Sequence, residues 1–369
     1  MKLVQIERDA LLKPLQAVTG IVEKRHTLPI LSNVLIERAQ GRLNMIATDL
    51  EIQVSTSSEI SGAASEEASL TVSARKLQDI LRALPEGADT VLDAQNNRLQ
   101  VRAGKSRFSL QTLPANDFPK LGDAGSVLGK VTLPQKAFRD LLLLVQYSMA
   151  QQDIRYYLNG LLLVLDEGQV KVVATDGHRL SYAARPLGAA QEKREVILPR
   201  KAVIELSKLL AETDDPVEIE IFASQVRFVF GSVVLVTKII DGKFPDYGRV
   251  IPSNYQKKFS IERLQLLQSL QRAAILSNEK FRGVRWLVTG TSLRISCTNN
   301  EQEEAQEELE INYPGDPVDI GFNITYLLDV LTNVHSEQVE CALADANSSM
   351  LVTLPGERDF RYVVMPMRI

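Results

Sequence analysis

The 369-residue chain is poor in reactive side chains: two cysteines, three histidines and one tryptophan. Cys297 and Cys341 cannot build a disulfide framework and fit no metal-ligand spacing, so both read as small buried hydrophobes. No apolar run is long enough to cross a bilayer, and the N-terminus "MKLVQIERDALLKPL" lacks the uninterrupted apolar core of a signal peptide. The expectation is a cytoplasmic protein with no membrane association. There is no phosphate-cradling glycine loop, no dinucleotide fingerprint and no pair of histidines at metal spacing, so no cofactor, metal or catalytic residue is expected. A net charge of −4 argues against a protein that grips nucleic acid with its whole surface, though not against one that gathers its positive charge in one place.

The stretch "VVATDGHRLSYAARP" (172–186) sets Asp176 and His178 between two apolar runs. Three readings are open: an acid–base pair, a polar turn at a strand end, or the border of a binding groove. The stretch has cousins in "ATDLEIQVSTSSE" (47–59) and "CTNNEQEEAQEELEINY" (from Cys297), which bring Thr48, Thr175 and Thr298 into register at domain-sized spacing. Neither cousin carries the histidine. A catalytic centre rarely needs three copies, and no nucleophile at a recognisable elbow accompanies the pair, so the turn reading stands ahead of catalysis.

The neighbours of each threonine repeat in the same order. A strand pair precedes it: "NVLIERAQGRLNMIA", "NGLLLVLDEGQVKVVA" and "RGVRWLVTGTSLRISC". A strand and an amphipathic helix follow, with apolar stripes Leu77, Ile80, Leu84; Val203, Leu206, Leu210; and Ile324, Leu327, Leu331. A further helix lies upstream of each pair, the first interrupted by Pro14, which should bend it or shift its start. Each third therefore reads as two like halves, giving an α+β protein of three similar domains built from six copies of one helix-plus-strands unit. Gly, Pro and Ser cluster in "LGDAGSVLG" and "VIPSNYQ", placing the domains at 1–125, 126–252 and 253–369.

The acidic run "NNEQEEAQEE" in the last domain and the basic stretch "RAGKSRFSL" in the first suit head-to-tail association, which closes into a ring when the rotation allows. Two chains would bring twelve helices together. At about 8 to 10 Å between axes their circumference is on the order of 110 Å. Subtracting a helix thickness of about 10 to 12 Å leaves a hole on the order of 25 Å if helices line it and sheets lie outside, wide enough for a duplex. Arg25, Arg75, Lys76, Arg82, Lys136, Arg139, Arg200, Lys201 and Lys208 lie on or beside the expected helices. Phosphate contacts from them would be sequence-independent.

The stretches "LLKPLQ", "TLPIL", "SRFSLQTLPANDFP", "RYYLNG", "ATDGHRL", "PRKAVIEL", "KFPDY", "RAAILSNEKFRGVR", "EQEEA" and "YVVMPMR" together make the chain resemble, end to end, the bacterial DNA polymerase III beta subunits, the sliding clamps. The resemblance implies a DNA clamp fold and a non-catalytic homodimeric ring that encircles double-stranded DNA at the nucleoid and confers processivity. Its partners would be the polymerase III alpha subunit, the clamp loader, and other polymerases, mismatch-repair proteins or ligase, through short linear motifs. The partner pocket carried over by motif comprises Leu158, Thr175, Gly177, His178, Arg179, Leu180, Pro245, Arg249, Val250, Asn323, Tyr326, Ser349, Val363, Val364, Met365, Pro366, Met367 and Arg368. Methionines and branched aliphatics suit a groove that accepts several related partners. Arg25, Gln152, Tyr156 and Tyr157 are implied DNA contacts. Phe108, Leu110, Ile275 and Leu276 are the implied apolar centre of the dimer contact, with Lys76, Lys105 and Arg107 set against Glu301, Glu303 and Glu304. Asn347 stands where the family often has an apolar pocket residue, and Gly248 where a basic one is common.

Overall fold

The computed structural model describes residues 2–23, 28–60, 67–188 and 192–369, and its elements follow the repeat. The first third runs β1 (Lys2–Glu7), α1 (Arg8–Thr19), β2 (Asn33–Ala39), β3 (Arg42–Thr48), β4 (Ile52–Glu59), β5 (Ala68–Ser73), α2 (Ala74–Ala83), β6 (Asp89–Gln95), β7 (Arg98–Ala103) and β8 (Ser106–Leu113). The second repeats this as β9 (Gly129–Pro134), α3 (Gln135–Val145), β10 (Gly160–Asp166), β11 (Gln169–Thr175), β12 (Arg179–Pro186), β13 (Arg194–Pro199), α4 (Arg200–Leu209), β14 (Pro216–Ile221), β15 (Gln225–Phe230) and β16 (Val233–Lys238). A one-turn helix, α5 (Tyr247–Val250), precedes the third. That third is β17 (Lys257–Glu262), α6 (Arg263–Ala274), β18 (Gly283–Val288), β19 (Ser292–Thr298), β20 (Glu304–Glu310), β21 (Val318–Asn323), α7 (Ile324–Asn333), β22 (Gln338–Leu343), β23 (Met350–Leu354) and β24 (Glu357–Val364).

Each third is thus a strand–helix–three-strand unit taken twice, and the pairing shows why two units are needed. The leading strand of each unit joins the three strands of the other: β1 with β6–β8, β5 with β2–β4, and likewise β9, β13, β17 and β21. One unit alone would leave its leading strand without a ladder. Tight two-residue turns close the first hairpins, with positive φ at both Gln40–Gly41 (51° and 72°) and Glu167–Gly168 (50° and 72°), the mirror-image turn that matches strand twist.

The chain divides into two compact units, Met1–Phe138 with Ile204–Ile239, and Arg139–Val203 with Ile240–Ile369. The units follow the sheets rather than the thirds. In the first, β4 pairs with β16, so a twelve-stranded sheet takes in β9 and β14–β16. In the second, β12 pairs with β24, making an eight-stranded sheet, and β18–β21 form a four-stranded one.

Helix faces close these sheets. Val203, Leu206, Leu210, Ile324, Leu327 and Leu331 are buried as their spacing predicts. In α2 the stripe is shifted: Leu77, Leu81 and Leu84 are buried while Ile80 is half-exposed, because the face tracks i, i+4 there. Helix α1 runs from Arg8 to Thr19 with Pro14 inside it, so of the two effects expected of the proline the shifted start is not observed. Both cysteines are buried, which pushes Cys297 up to about 11 and Cys341 to about 12. Among the described residues no helix is long and apolar enough to cross a membrane.

Candidate functional site

The Asp176–His178 stretch is a turn joining β11 to β12, and its hydrogen bonds define it. Thr175 Oγ1 donates to the Arg179 carbonyl (2.6 Å) and accepts from the Gly177 N–H (3.1 Å). Asp176 Oδ1 accepts from the N–H groups of His178 (2.9 Å) and Arg179 (3.0 Å). Gly177 stands at φ +88°, which a residue without Cβ adopts freely.

The same bracket recurs between β3 and β4. Thr48 Oγ1 donates to the Ile52 carbonyl (2.9 Å) and accepts from Leu50 N–H (3.1 Å), and Asp49 Oδ1 accepts from Glu51 (3.0 Å) and Ile52 (2.8 Å). In the third copy Asn299 Oδ1 takes the N–H groups of Glu301 and Glu303, both at 3.0 Å, in a turn one residue longer. The carboxylate of Asp176 is therefore occupied with backbone and with Arg179 Nε (3.1 Å), not with the imidazole. His178 is exposed, and its carbonyl accepts the Met365 N–H at 2.9 Å.

Beside this turn lies a groove of about 200 Å³ in the second unit. Leu158, Thr175, Gly177, Arg179, Leu180, Pro245, Val250, Val363 and Met365 line it, joined by Arg155 and Tyr157. Its floor belongs to the core formed by Leu162, Val173, Leu180, Phe244 and Val363, against which Tyr157 and Val250 also pack. The space is smaller than the several hundred Å³ of pockets for drug-sized ligands, so it suits one or two side chains of a larger partner.

Arg179 anchors the wall. Its side chain is 9% exposed; Nη1 donates to Asp329 Oδ2 (2.5 Å), Nη2 to the Tyr147 carbonyl (2.6 Å), and the guanidinium lies 4.4 Å from the Tyr326 ring centroid. Burial opposes the charge, yet Tyr362, Asp329 and Asp176 around it hold its pKa above the ordinary guanidinium value. Burial pushes the Tyr326 and Tyr362 hydroxyls up. This cluster links the 175–179 turn to α7 and β24.

Arg155 was not among the sequence candidates, although it opens the quoted "RYYLNG". It reaches over the turn: Nη2 donates to the Asp176 carbonyl (3.1 Å), and a Cβ on Gly177 would come within 2.8 Å of its Nη1. Asp153, two residues before, holds it through Nε (3.0 Å) and Nη2 (2.8 Å), and these bonds pull the Asp153 pKa down to about 2. The Asp-x-Arg spacing was the legible signal.

The other candidates sit around or away from the groove. Arg249 is exposed and paired with Asp246 (3.0 Å), while Gly248 between them leaves that short helix without a second cation. Asn323 caps α7 by accepting the Thr325 N–H (2.9 Å). Ser349 and Pro366 are half-buried, and Val364 is fully buried within β24. Met367 and Arg368 line a different cavity of about 610 Å³, and Asn347 belongs to that cavity too.

Of the DNA candidates, Arg25 lies outside the described residues. Gln152 is exposed at φ +56°, Tyr156 is 58% exposed, and Tyr157 meets Tyr156 edge-on at 5.8 Å and also lines the groove. In the first unit Phe108 and Leu110 are half-buried on β8, with Lys76, Lys105 and Arg107 exposed. In the second, Ile275 is 78% exposed, Leu276 half-buried, and Glu301, Glu303 and Glu304 are exposed at the start of β20.

Family models of the DNA polymerase III beta subunit match the chain in three pieces: the N-terminal domain at 1–122, the central domain at 132–246 and the C-terminal domain at 248–368. The chain is 45% identical over 364 residues to the beta sliding clamps of Vibrio cholerae and Escherichia coli K12, covering 99% of both chains in each case. A crystal structure of the DNA polymerase sliding clamp from Pseudomonas aeruginosa with ligand superposes with a TM-score of 0.96 at 44% identity over 100% of both chains. The clamp of the same organism bound to griselimycin gives 0.95 at 45% identity over 99% of both.

Proposed function

The chain belongs to the DNA polymerase III beta subunit family, and from that premise we propose that it works as a sliding clamp: a non-catalytic homodimeric ring that encircles duplex DNA and tethers the replicative polymerase, conferring processivity. The observation that carries this is the likeness to known clamps over 99% of both chains. The three domains meet near residues 125 and 252, and the protein acts in the cytoplasm at the nucleoid.

The strand pairing supports a head-to-tail partner. Where the thirds join, the last strand of one third's first unit pairs with the last strand of the next third's second unit: β4 with β16, then β12 with β24. The same step from the last third joins β20 to β8 of a second copy. Among the described residues one edge of β20, and the Ser106–Gln111 edge of β8 beyond its short ladder with β5, carry no strand partner. Unpaired edges invite such addition. Phe108 and Leu110 then meet Ile275 and Leu276, with Lys76, Lys105 and Arg107 facing Glu301, Glu303 and Glu304.

Arg25, Gln152, Tyr156 and Tyr157 contact the encircled duplex through phosphates, without reading sequence. The groove beside the 175–179 turn takes the linear motifs of polymerase, clamp loader, mismatch-repair proteins and ligase. Its apolar floor and the rim residues Arg155 and Met365 support a short peptide with neighbouring aliphatic and aromatic side chains. Exposed Met365, unbranched and polarizable, suits several such peptides.

Retention on a nicked circular plasmid, loaded with a matching clamp loader and ATP, tests the function. Loss of the protein on cutting the circle once, at salt that suppresses phosphate binding, is the expected result. Equal retention on both forms would mean adhesion and sink the ring.

A further inference from the structure

Beyond β24 the chain continues as a strap, Met365 to Ile369, pinned at two points. The Met365 N–H donates to the His178 carbonyl at 2.9 Å, and the Met367 N–H donates to the Gly321 carbonyl at 2.7 Å. Past the second bond, the Ile369 side chain lies in a notch floored by two glycines. A Cβ built on Gly321 would come within 2.4 Å of the Met367 carbonyl oxygen and 2.6 Å of Ile369; one on Gly283 would meet Ile369 at 3.4 Å. Both glycines face the side of the β18–β21 pair opposite buried Val284, Trp286, Ile320 and Phe322.

The repeat makes this notch a local departure. In register, the strand position of Gly321 is Thr71 in the first third, opposite Leu35, and Ile197 in the second, opposite Leu162, whereas Gly321 stands opposite Arg285. A glycine inside a strand weakens it and marks the close approach of another backbone. Here that backbone is the strap, and the strap carries Met365 to the groove wall.

We propose that the Gly283–Gly321 notch, by seating Ile369 and the Met367 carbonyl, fixes where Met365 stands, so that Gly321 and Ile369 are positioning residues for the side chain the groove accepts. The proposal rests on the groove being the peptide site. Ile369 is 67% exposed, so the notch holds the strap by contact on one side only. An occupant that moves Met365 must work against that hold, and loosening it lets Met365 wander across the mouth.

The test titrates the full-length protein with a fluorescein-labelled hexapeptide carrying adjacent Leu and Phe between polar residues, and follows amide exchange at Met367. Gly321→Ala should weaken binding at least about fivefold and expose the Met367 amide, Ile369→Ala should weaken it about threefold, and Ile369→Val should restore it to within about twofold. The thermal midpoints should stay within about 2 °C, since neither site belongs to a core. Ile369→Ala, on an exposed side chain, keeps the test decisive if Gly321→Ala folds poorly. Parent affinity in both Gly321→Ala and Ile369→Ala, or a Met367 amide still protected in Gly321→Ala, overturns the proposal alone. A parent protein that does not bind the hexapeptide overturns the groove reading and the proposal with it.

Discussion

Two turns of one design, 48–52 and 175–179, do different work. Both hang on a threonine hydroxyl and an aspartate carboxylate that gather the same backbone groups. In the first, the left-handed position is Leu50 at φ +77° and the closing position is Ile52, 1% exposed. In the second these are Gly177 and Arg179. Glycine opens room for Arg155 to lie over the turn, and the arginine ties the turn to Asp329 and Tyr326. Two differences of residue type separate the turn that borders the groove from the one that does not, while the hydrogen bonds that make each a turn are the same.

The largest effect expected from separating the two turns is at the closing position. Arg179→Met leaves Asp329 and Asp176 without their cation and should lower unfolding stability by about 3 kcal/mol, read from denaturant midpoints. Ile52→Ala in the first turn should cost a similar amount, about 2 to 4 kcal/mol, through an unfilled cavity instead. Only Arg179→Met should also abolish binding of the labelled hexapeptide. Unchanged binding there would separate the groove from its arginine.

The shared bracket gives the next test. Thr48→Val and Thr175→Val each take the hydroxyl away from a buried carbonyl (Ile52, Arg179) and a part-buried N–H (Leu50, Gly177) and should cost about 1 to 2 kcal/mol, equal within about 0.5. Unequal losses would mean that the two turns are not one device. At the left-handed position the signs should oppose. Gly177→Ala should destabilise by about 1 kcal/mol, whereas Leu50→Gly should stabilise by about 0.5 kcal/mol, relief of strain outweighing the loss of a half-buried side chain.

This comparison also shows what the sequence made legible. Thr48, Thr175 and Thr298 announced the threefold repeat, and the apolar stripes of α4 and α7 placed their buried faces, because periodicity is a local property of the chain. The absence of the histidine from the other copies, with no nucleophile at a recognisable elbow, puts the turn reading ahead of catalysis, and Asp176 spends its carboxylate on the backbone and Arg179. The pairing of β4 with β16 and of β12 with β24 was not legible, since partners about 180 residues apart leave no local signature. Ile80 and Leu81 were exchanged on α2 because adjacent apolar residues satisfy both i+3 and i+4. Of the expected pocket residues, Thr175, Gly177, Arg179 and Leu180 line the groove and His178 does not, while Met367 and Arg368 line another cavity together with Asn347; Arg155 enters only because Asp153 aims it.

The smallest expected effect is acid-dependent. Arg155 lowers the Asp153 pKa from 3.8 to about 2, so this pair contributes stability above the unfolded value and loses it as pH falls through about 2. The carboxyl carbon of Asp153 should therefore titrate by NMR near pH 2, with Arg155 released from above Gly177. Titration near the ordinary 3.8 would contradict the clamp on Arg155.

Amide exchange of the two turns, with and without the labelled hexapeptide, tests most directly the proposal that of these two turns only 175–179 borders a peptide site. Slowed exchange at residues 177–180 and 363–365, with none at 50–52, is the predicted result. Equal protection of both turns, or bound peptide that protects neither, would contradict it.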